Sequence, residues 1–370
     1  MNLAVLAGAL TFGVMIIETF LRIAPGFLPI SEVEWIRCEG PSARRVMSAE
    51  LGPIEPPNAV FFERQHEVEN WKLHVNNDEG FRDLFDIGEP RILVLGDSFA
   101  RGSLVNNGEA FADLLDLWAP STGVRAYALG GWGTGQELRA YRTLGAETPH
   151  DLVILGYYVG NDLTDNVKTG YRLEDDGANA KLAFDETALT PPPAPARFRR
   201  FLFKHLLSLR VLQSAATAGA GRDYFQKSAQ DLDGLMAVAR QLLDKFQEES
   251  AKNGAELLIV AIPDFNEFVS DKARAAAARQ TAIIEDIAAR HDHVFALVLR
   301  DAVAAAGPDR VYGRNNKHFN RYGQYLAARE IARFIGVDAP EFSADADVRI
   351  RPDCNRAQEY ARQLNIYGPK

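Results

Sequence analysis

The residues best suited to chemistry stand where apolar runs end. Gly96-Asp97-Ser98-Phe99 follows the run 91–95 (RILVL). In an open α/β sheet, ligands gather beyond the carboxyl ends of the strands. A serine placed there, near the start of the following helix, suits a nucleophile, because helix-terminal amides favour developing negative charge. A second run, 124–129, leads into Gly130-Gly131-Trp132-Gly133-Thr134, where glycine lets a backbone N–H come close to a ligand oxygen. A third, 151–156, leads to Gly160-Asn161-Asp162, whose Asn amide can donate to an oxyanion. Just before the last helical segment comes Asn316-Lys317-His318-Phe319-Asn320, and His318 has the chemistry of a general base toward Ser98.

These groups need a scaffold that brings strand ends together. Five short runs rich in β-branched and apolar residues, 91–95, 124–129, 151–156, 256–262 and 293–297, alternate with helix-period segments at 109–117, 136–144, 231–249, 271–290 and 322–335. Continuous apolar strands alternating with helices predict a parallel sheet covered on both faces. Four parts are expected. They are an N-terminal transmembrane signal anchor (1–22), an irregular lead-in (23–88), a catalytic domain (89–336) and a C-terminal tail (337–370). Within the domain, 167–230 is too long for an ordinary crossover and reads as an insertion. It holds a proline-rich piece and a basic amphipathic stretch, RFRRFLFKHLLSLRVLQ. That stretch fits a surface helix packed on the core, a lid over the site, or a helix lying on anionic lipid.

The four blocks in this order resemble the SGNH/GDSL hydrolase superfamily: GDSF at Gly96 to Phe99, the glycine block at Gly131, GND at Gly160 to Asp162, and HFNRYG at His318 to Gly323. Gly80-Phe81-Arg82-Asp83 is similar to what precedes the serine block in membrane-anchored bacterial members. The resemblance spans residues 76–336. It implies a three-layer α/β/α sandwich with a five-stranded parallel sheet, and a serine esterase working through an acyl-enzyme without a cofactor. Ser98 is then the nucleophile and an oxyanion donor, Gly131 and Asn161 are further donors, and His318 is the base. The sequence departs from that pattern at one point. The family places an Asp two or three residues before the His, whereas this chain has Asn316 and Asn315. Asn can accept the imidazole N–H and so orient the ring, but it brings no charge to stabilise an imidazolium. A dyad of Ser98 and His318, a carboxylate from elsewhere such as Asp309 or Asp264, or a site that binds without turnover are the alternatives this leaves open.

Composition narrows the partners. The chain of 370 residues has 41 basic and 50 acidic side chains, a net charge of −9, so it lacks the cationic surface of a nucleic-acid binder. Two cysteines, and histidines without ligand spacing, argue against a metal centre. Neither a G-x-G-x-x-G nor a G-K-[ST] loop follows the first strand, which disfavours a nucleotide binder. Residues 1–17 carry no charge, and the apolar run reaches Leu21 with only Glu18 interrupting it, enough for a single span. A cleaved signal peptide and a buried core helix are the competing readings. The anchor reading makes the membrane a partner, with the catalytic domain on the periplasmic side. Cys38 and Cys354 can pair in an oxidising compartment. The expected substrate is an O-acetylated or O-acylated carbohydrate, either a small molecule or a polysaccharide. Transfer of the acyl group to another hydroxyl, and a binding protein on the same fold, are the alternatives.

Overall fold

A computed structural model describes residues 3–23, 33–41, 43–65, 70–82, 90–174, 181–189, 195, 206, 208–209, 229–314, 317–343 and 350–363. It divides into two units. One holds residues 1–32 and 191–226, the other 33–190 and 227–370.

The larger unit is built on five parallel strands: β6 (Ile92–Gly96), β7 (Val124–Ala128), β8 (Leu152–Tyr158), β11 (Glu256–Ile262) and β12 (Val294–Val298). Their spatial order is β12-β11-β8-β6-β7. The strand order reverses between β6 and β8, and the end of β6 carries the serine block. Side chains alternate across the sheet. Ile92, Val94, Ile154, Leu258 and Val260 face one way and share a core with Phe111 and Leu115 of α2 (Phe111–Trp118). Val303, Leu326 and Ile331 complete that core, the last two from the closing helix Arg321–Ile335. Buried Leu93, Val153, Leu155, Leu257 and Ile259 face the opposite way. On that side lie α3 (Thr134–Thr143) and the long helices Ala229–Lys252 and Asp271–Arg290, giving helix, sheet and helix layers. The central strands β6, β8 and β11 are buried on both faces along most of their length, which is why they read as unbroken apolar runs.

The segment 23–88 is not irregular. It contains β1 (Val33–Glu39), β4 (Val60–Gln65) and β5 (Lys72–Val75), an antiparallel sheet in the order β1-β4-β5, and a hairpin of β2 (Val46–Ser48) with β3 (Gly52–Ile54). The C-terminal tail is not separate from it. Val60, Phe62 and Leu73 enclose Ile350, Ala357 and Tyr360, Trp71 bridges Ile350, and Cys38 is disulfide-bonded to Cys354 with Cα atoms 5.0 Å apart. Two ends of the chain, each too short to enclose a core, make one jointly. The expected insertion begins in order, with the hairpin of β9 (Tyr171–Glu174) and β10 (Lys181–Phe184). Most of residues 190–228, and with them the basic amphipathic stretch, lie outside the described residues.

In the smaller unit, α1 (Leu3–Ile23) is a continuous helix of 21 residues. Its middle exposes Phe12, Val14, Met15, Ile16, Ile17 and Phe20. The Glu18 carboxylate accepts bonds from the Ser208 amide (3.0 Å) and hydroxyl (3.1 Å). The expected span is present as a helix. Among the described residues no helix is long and apolar enough to cross a membrane.

Candidate active site

Ser98 and His318, remote in sequence, meet at the carboxyl end of the sheet. The Ser98 hydroxyl lies 2.7 Å from Nε2 of His318, hydrogen-bonding distance for a serine proton directed at a neutral imidazole. Ser98 is 8% exposed, enough to touch a ligand while most of its surroundings stay dry. Asp97 offers a second acceptor, but at 3.3 Å it is the weaker partner. Asp97 mainly braces the turn, its Oδ1 accepting from the Phe99 amide at 2.8 Å.

The turn is shaped by packing rather than by a helix. Sequence placed Ser98 near a helix start, yet α2 begins only at Phe111. Residues 97–105 instead form successive tight turns, with the amides of Arg101, Gly102 and Ser103 bonded to the carbonyls of Asp97, Phe99 and Ser98. No helix dipole therefore backs the serine amide. Gly96 allows the chain to double back, since a Cβ there would stand 2.6 Å from that of Ala100. Gln324 of the closing helix fixes the turn from the far side, donating to the Phe99 carbonyl and accepting from the Phe111 amide, both at 2.9 Å.

The His318 segment is held with similar care. Phe319 is buried edge-to-face against Phe99, and the Phe99 ring in turn stacks on the imidazole. Asn320 caps the closing helix by accepting from the Gly323 amide at 3.0 Å. Gly323 has no room for a side chain, because a Cβ would lie 2.4 Å from the Val311 carbonyl oxygen. Lys317, immediately before the base, is left-handed at φ 56°, an uncommon conformation for a residue with a side chain. Asn315 and Asn316, the candidate orienting residues, lie outside the described residues. Of the alternative carboxylates, Asp309 is exposed, and Asp264 is engaged elsewhere, accepting from Tyr158 Oη and the Asn266 amide.

The candidate oxyanion residues follow the ends of β7 and β8, the strands on either side of β6. Gly130 lies against Ser98, and a Cβ on it would stand 3.5 Å from the serine Cβ. Gly131 follows at φ 79° and is exposed. Asn161 stands beyond the end of β8, where its Oδ1 is buried without a hydrogen-bond partner among the described residues. Its neighbour Asp162 accepts from the Tyr158 amide at 3.1 Å and fixes that loop. Neither Trp132 nor Tyr158, the aromatic residues next to these blocks, stands free as a stacking platform. Trp132 is 1% exposed and packed against Phe81, while Tyr158 is tilted onto Phe99 and bonded to Asp264.

The lead-in contributes what single motifs concealed. Arg82, fully enclosed, donates to the carbonyls of Arg101 and Gly102 (both 2.6 Å) and Val105 (3.2 Å) and to Asn107 Oδ1 (2.9 Å). Its guanidinium thus gathers the chain that follows the serine, and burial brings its pKa down to about 10. Arg101 pairs with Glu55 at 2.7 Å, both sides buried. Arg45 donates from Nη2 to the Gly130 carbonyl at 2.7 Å, which ties the glycine block to the β2–β3 hairpin. Arg82→Ala would strand several buried acceptors. It is expected to cost about 3–5 kcal/mol in urea unfolding, and Arg82→Lys should recover less than half of that because ammonium lacks the fork. A loss under about 1 kcal/mol would show that the clamp is dispensable.

Beneath the site lie three fully buried carboxyls, Asp97, Glu137 and Asp162. Burial raises Asp97 to about 7, and burial together with the neighbouring acids pushes Glu137 and Asp162 well above the ordinary carboxyl range. Among the described residues no group of three or more His, Cys, Asp or Glu has the arrangement of a metal site.

No family model matches the sequence, and no curated protein matches it. Solved structures do. A member of the lipolytic G-D-S-L family from Veillonella parvula is 14% identical, with a TM-score of 0.40, over 66% of this chain and 98% of that one. A lipase/acylhydrolase from Enterococcus faecalis is 15% identical with a TM-score of 0.40, over 68% and 100%. A catalytic mutant of an acetylxylan esterase from Geobacillus stearothermophilus is likewise 15% identical with a TM-score of 0.40, over 69% and 98%.

Proposed function

We propose that the protein is a serine ester hydrolase of the SGNH/GDSL type, acting on O-acetyl or O-acyl groups of a carbohydrate. The observation that carries this reading is the 2.7 Å contact between Ser98 Oγ and His318 Nε2, and Gly131 and Asn161 follow the ends of β7 and β8, the two strands that border β6. His318 takes the Ser98 proton as the oxygen attacks the ester carbonyl. The amides of Ser98 and Gly131 and the side chain of Asn161 receive the negative charge on the tetrahedral intermediate. Collapse expels the sugar hydroxyl, protonated by His318, and leaves an acyl-serine. Water, activated by the same imidazole, releases the acid. Each step uses groups of this chain and calls for no cofactor.

We place the domain outside the cytoplasm, tethered through the N-terminal helix. The disulfide between Cys38 and Cys354 suits an oxidising compartment, and the exposed apolar surface of α1 is unusual for a helix in water. A fluorophosphonate probe tests the chemistry. The full chain in detergent should be labelled stoichiometrically, and Ser98→Ala should not be. Equal labelling of both, or no labelling of folded unmutated protein, would remove the esterase reading.

A further inference from the structure

Within the larger unit, a cleft of about 230 Å³ opens beside Gly131. Its walls present Arg45, Arg139 and Lys168, together with Gln136 and Phe184, and no carboxylate. That is a local reversal of charge in a chain whose net charge is −9. The cations are also incompletely used. Among the described residues Arg45 donates only to the backbone carbonyls of Gly130 and Pro53. Arg139 donates to the Glu50 carbonyl at 3.2 Å and lies 4.0 Å from the centre of the Phe184 ring. Among the described residues neither guanidinium forms an ion pair with a carboxylate. Lys168 is steered by Asp165 at 2.7 Å, yet its side chain remains 68% exposed. Gln136 adds a buried Oε1 without a hydrogen-bond partner among the described residues, an acceptor suited to a sugar hydroxyl rather than to an anion. Since Gly130 touches Ser98, the cleft begins within one residue of the reacting hydroxyl.

We propose that this cleft is a subsite for an anionic group of the substrate, a carboxylate or a phosphate carried by the glycan close to the esterified hydroxyl. The proposal rests on the ester-cleaving reading and refines it. Guanidinium groups pair with planar anions through two parallel hydrogen bonds, and such charge-assisted bonds are about twice as strong as neutral ones. Phe184 supplies an apolar surface against which a sugar ring can lie. Arg45 has a second duty at the Gly130 carbonyl, so Arg139 and Lys168 are the residues to test.

The test compares three O-acetylated oligosaccharides of matched length, namely an oligouronide, a phosphorylated oligomer and a neutral hexose oligomer. The unmutated protein should favour one or both anionic substrates over the neutral one by tenfold or more in kcat/KM, with the preference shrinking as salt is raised. Which anion is favoured identifies its source. The double variant Arg139→Gln with Lys168→Gln should bring the ratio near one. Arg142→Gln, on the same helix but paired with Glu249 outside the cleft, should leave the ratio unchanged. A neutral substrate used as well as the acidic ones, or a ratio unaffected by the double variant, would overturn the subsite. Calorimetry with Ser98→Ala separates the two claims. Anion-selective binding that the double variant weakens tenfold supports the subsite even if no ester is cleaved, whereas equal binding of all three oligomers refutes it.

Discussion

His318→Ala is expected to lower kcat/KM for an activated acetyl ester by roughly 10⁴-fold or more, and Ser98→Ala by a similar factor. The double variant should lose no more than the worse single one. The reason is geometric. A serine hydroxyl is a poor nucleophile at neutral pH, and only an imidazole within hydrogen-bond reach can take its proton as the new bond forms. At 2.7 Å the two groups act as one device, so removing either removes the whole of it. The residual rate would come from the oxyanion donors and from binding, which both variants keep. Initial rates for the three variants, with circular dichroism to confirm folding, decide the matter. A double variant whose loss is the product of the single losses would mean that Ser98 and His318 act independently, and the acyl-enzyme route would have to be abandoned.

Much of that device was legible because its signals are local. Each catalytic strand is a short apolar run that ends in a motif, and the five runs read from the sequence agree with the observed strands to within one or two residues at either end. The motif HFNRYG was equally transparent, since each of its informative residues has a contact of its own: the base, a buried ring, a cap and a close-approach glycine. The lead-in was not legible. Its strands are short and pair antiparallel across a covalent gap, so a core exists only once Ile350 and Tyr360 arrive from the other end of the chain. The alternation of Trp35, Arg37 and Glu39 with Ile36 and Cys38 in β1 was the available clue, but charged residues on a half-buried strand resemble loop. The roles of Arg45, Arg82 and Arg101 were hidden for the same reason. An isolated arginine gives no sign of whether its guanidinium will meet water or a set of buried carbonyls. Arg82 sat in a recognised motif, Gly80-Phe81-Arg82-Asp83, and that was the one pointer to its duty.

The carboxyls beneath the site lead to the second large effect, a fall in stability as the pH rises from 5 to 8. An acid whose pKa is higher in the folded protein than in the unfolded chain binds more protons when folded. Its contribution is then favourable at low pH and is lost as pH climbs through the folded value. Asp97 moves from 3.8 to about 7 through burial, which alone removes about 2 kcal/mol between pH 5 and pH 7. Asp113, raised to about 6, and Glu267, raised to about 7, act in the same direction, again chiefly through burial. Glu137 and Asp162, raised well above the ordinary carboxyl range by burial and by the neighbouring acids, act in the same direction. His74 opposes this. It is fully buried against Phe61 and held neutral, so it destabilises the fold only below the ordinary histidine range. One imidazole is set against five carboxyls, and above about pH 6.5 its effect is spent. The midpoint of thermal unfolding should therefore be higher at pH 5 than at pH 8 by about 5–10 °C. Glu137→Gln, which keeps the shape and removes the charge, should raise the midpoint at pH 8 and narrow the difference. A midpoint that is flat or rising over this range would mean that these carboxyls ionise normally despite their burial. The consequence reaches the site itself, because Asp97 braces the turn that carries Ser98. A proton gained or lost at Asp97 near neutrality changes what the carboxyl can accept from the Phe99 amide and the serine hydroxyl, and so links the firmness of the nucleophile's turn to the pH of its surroundings.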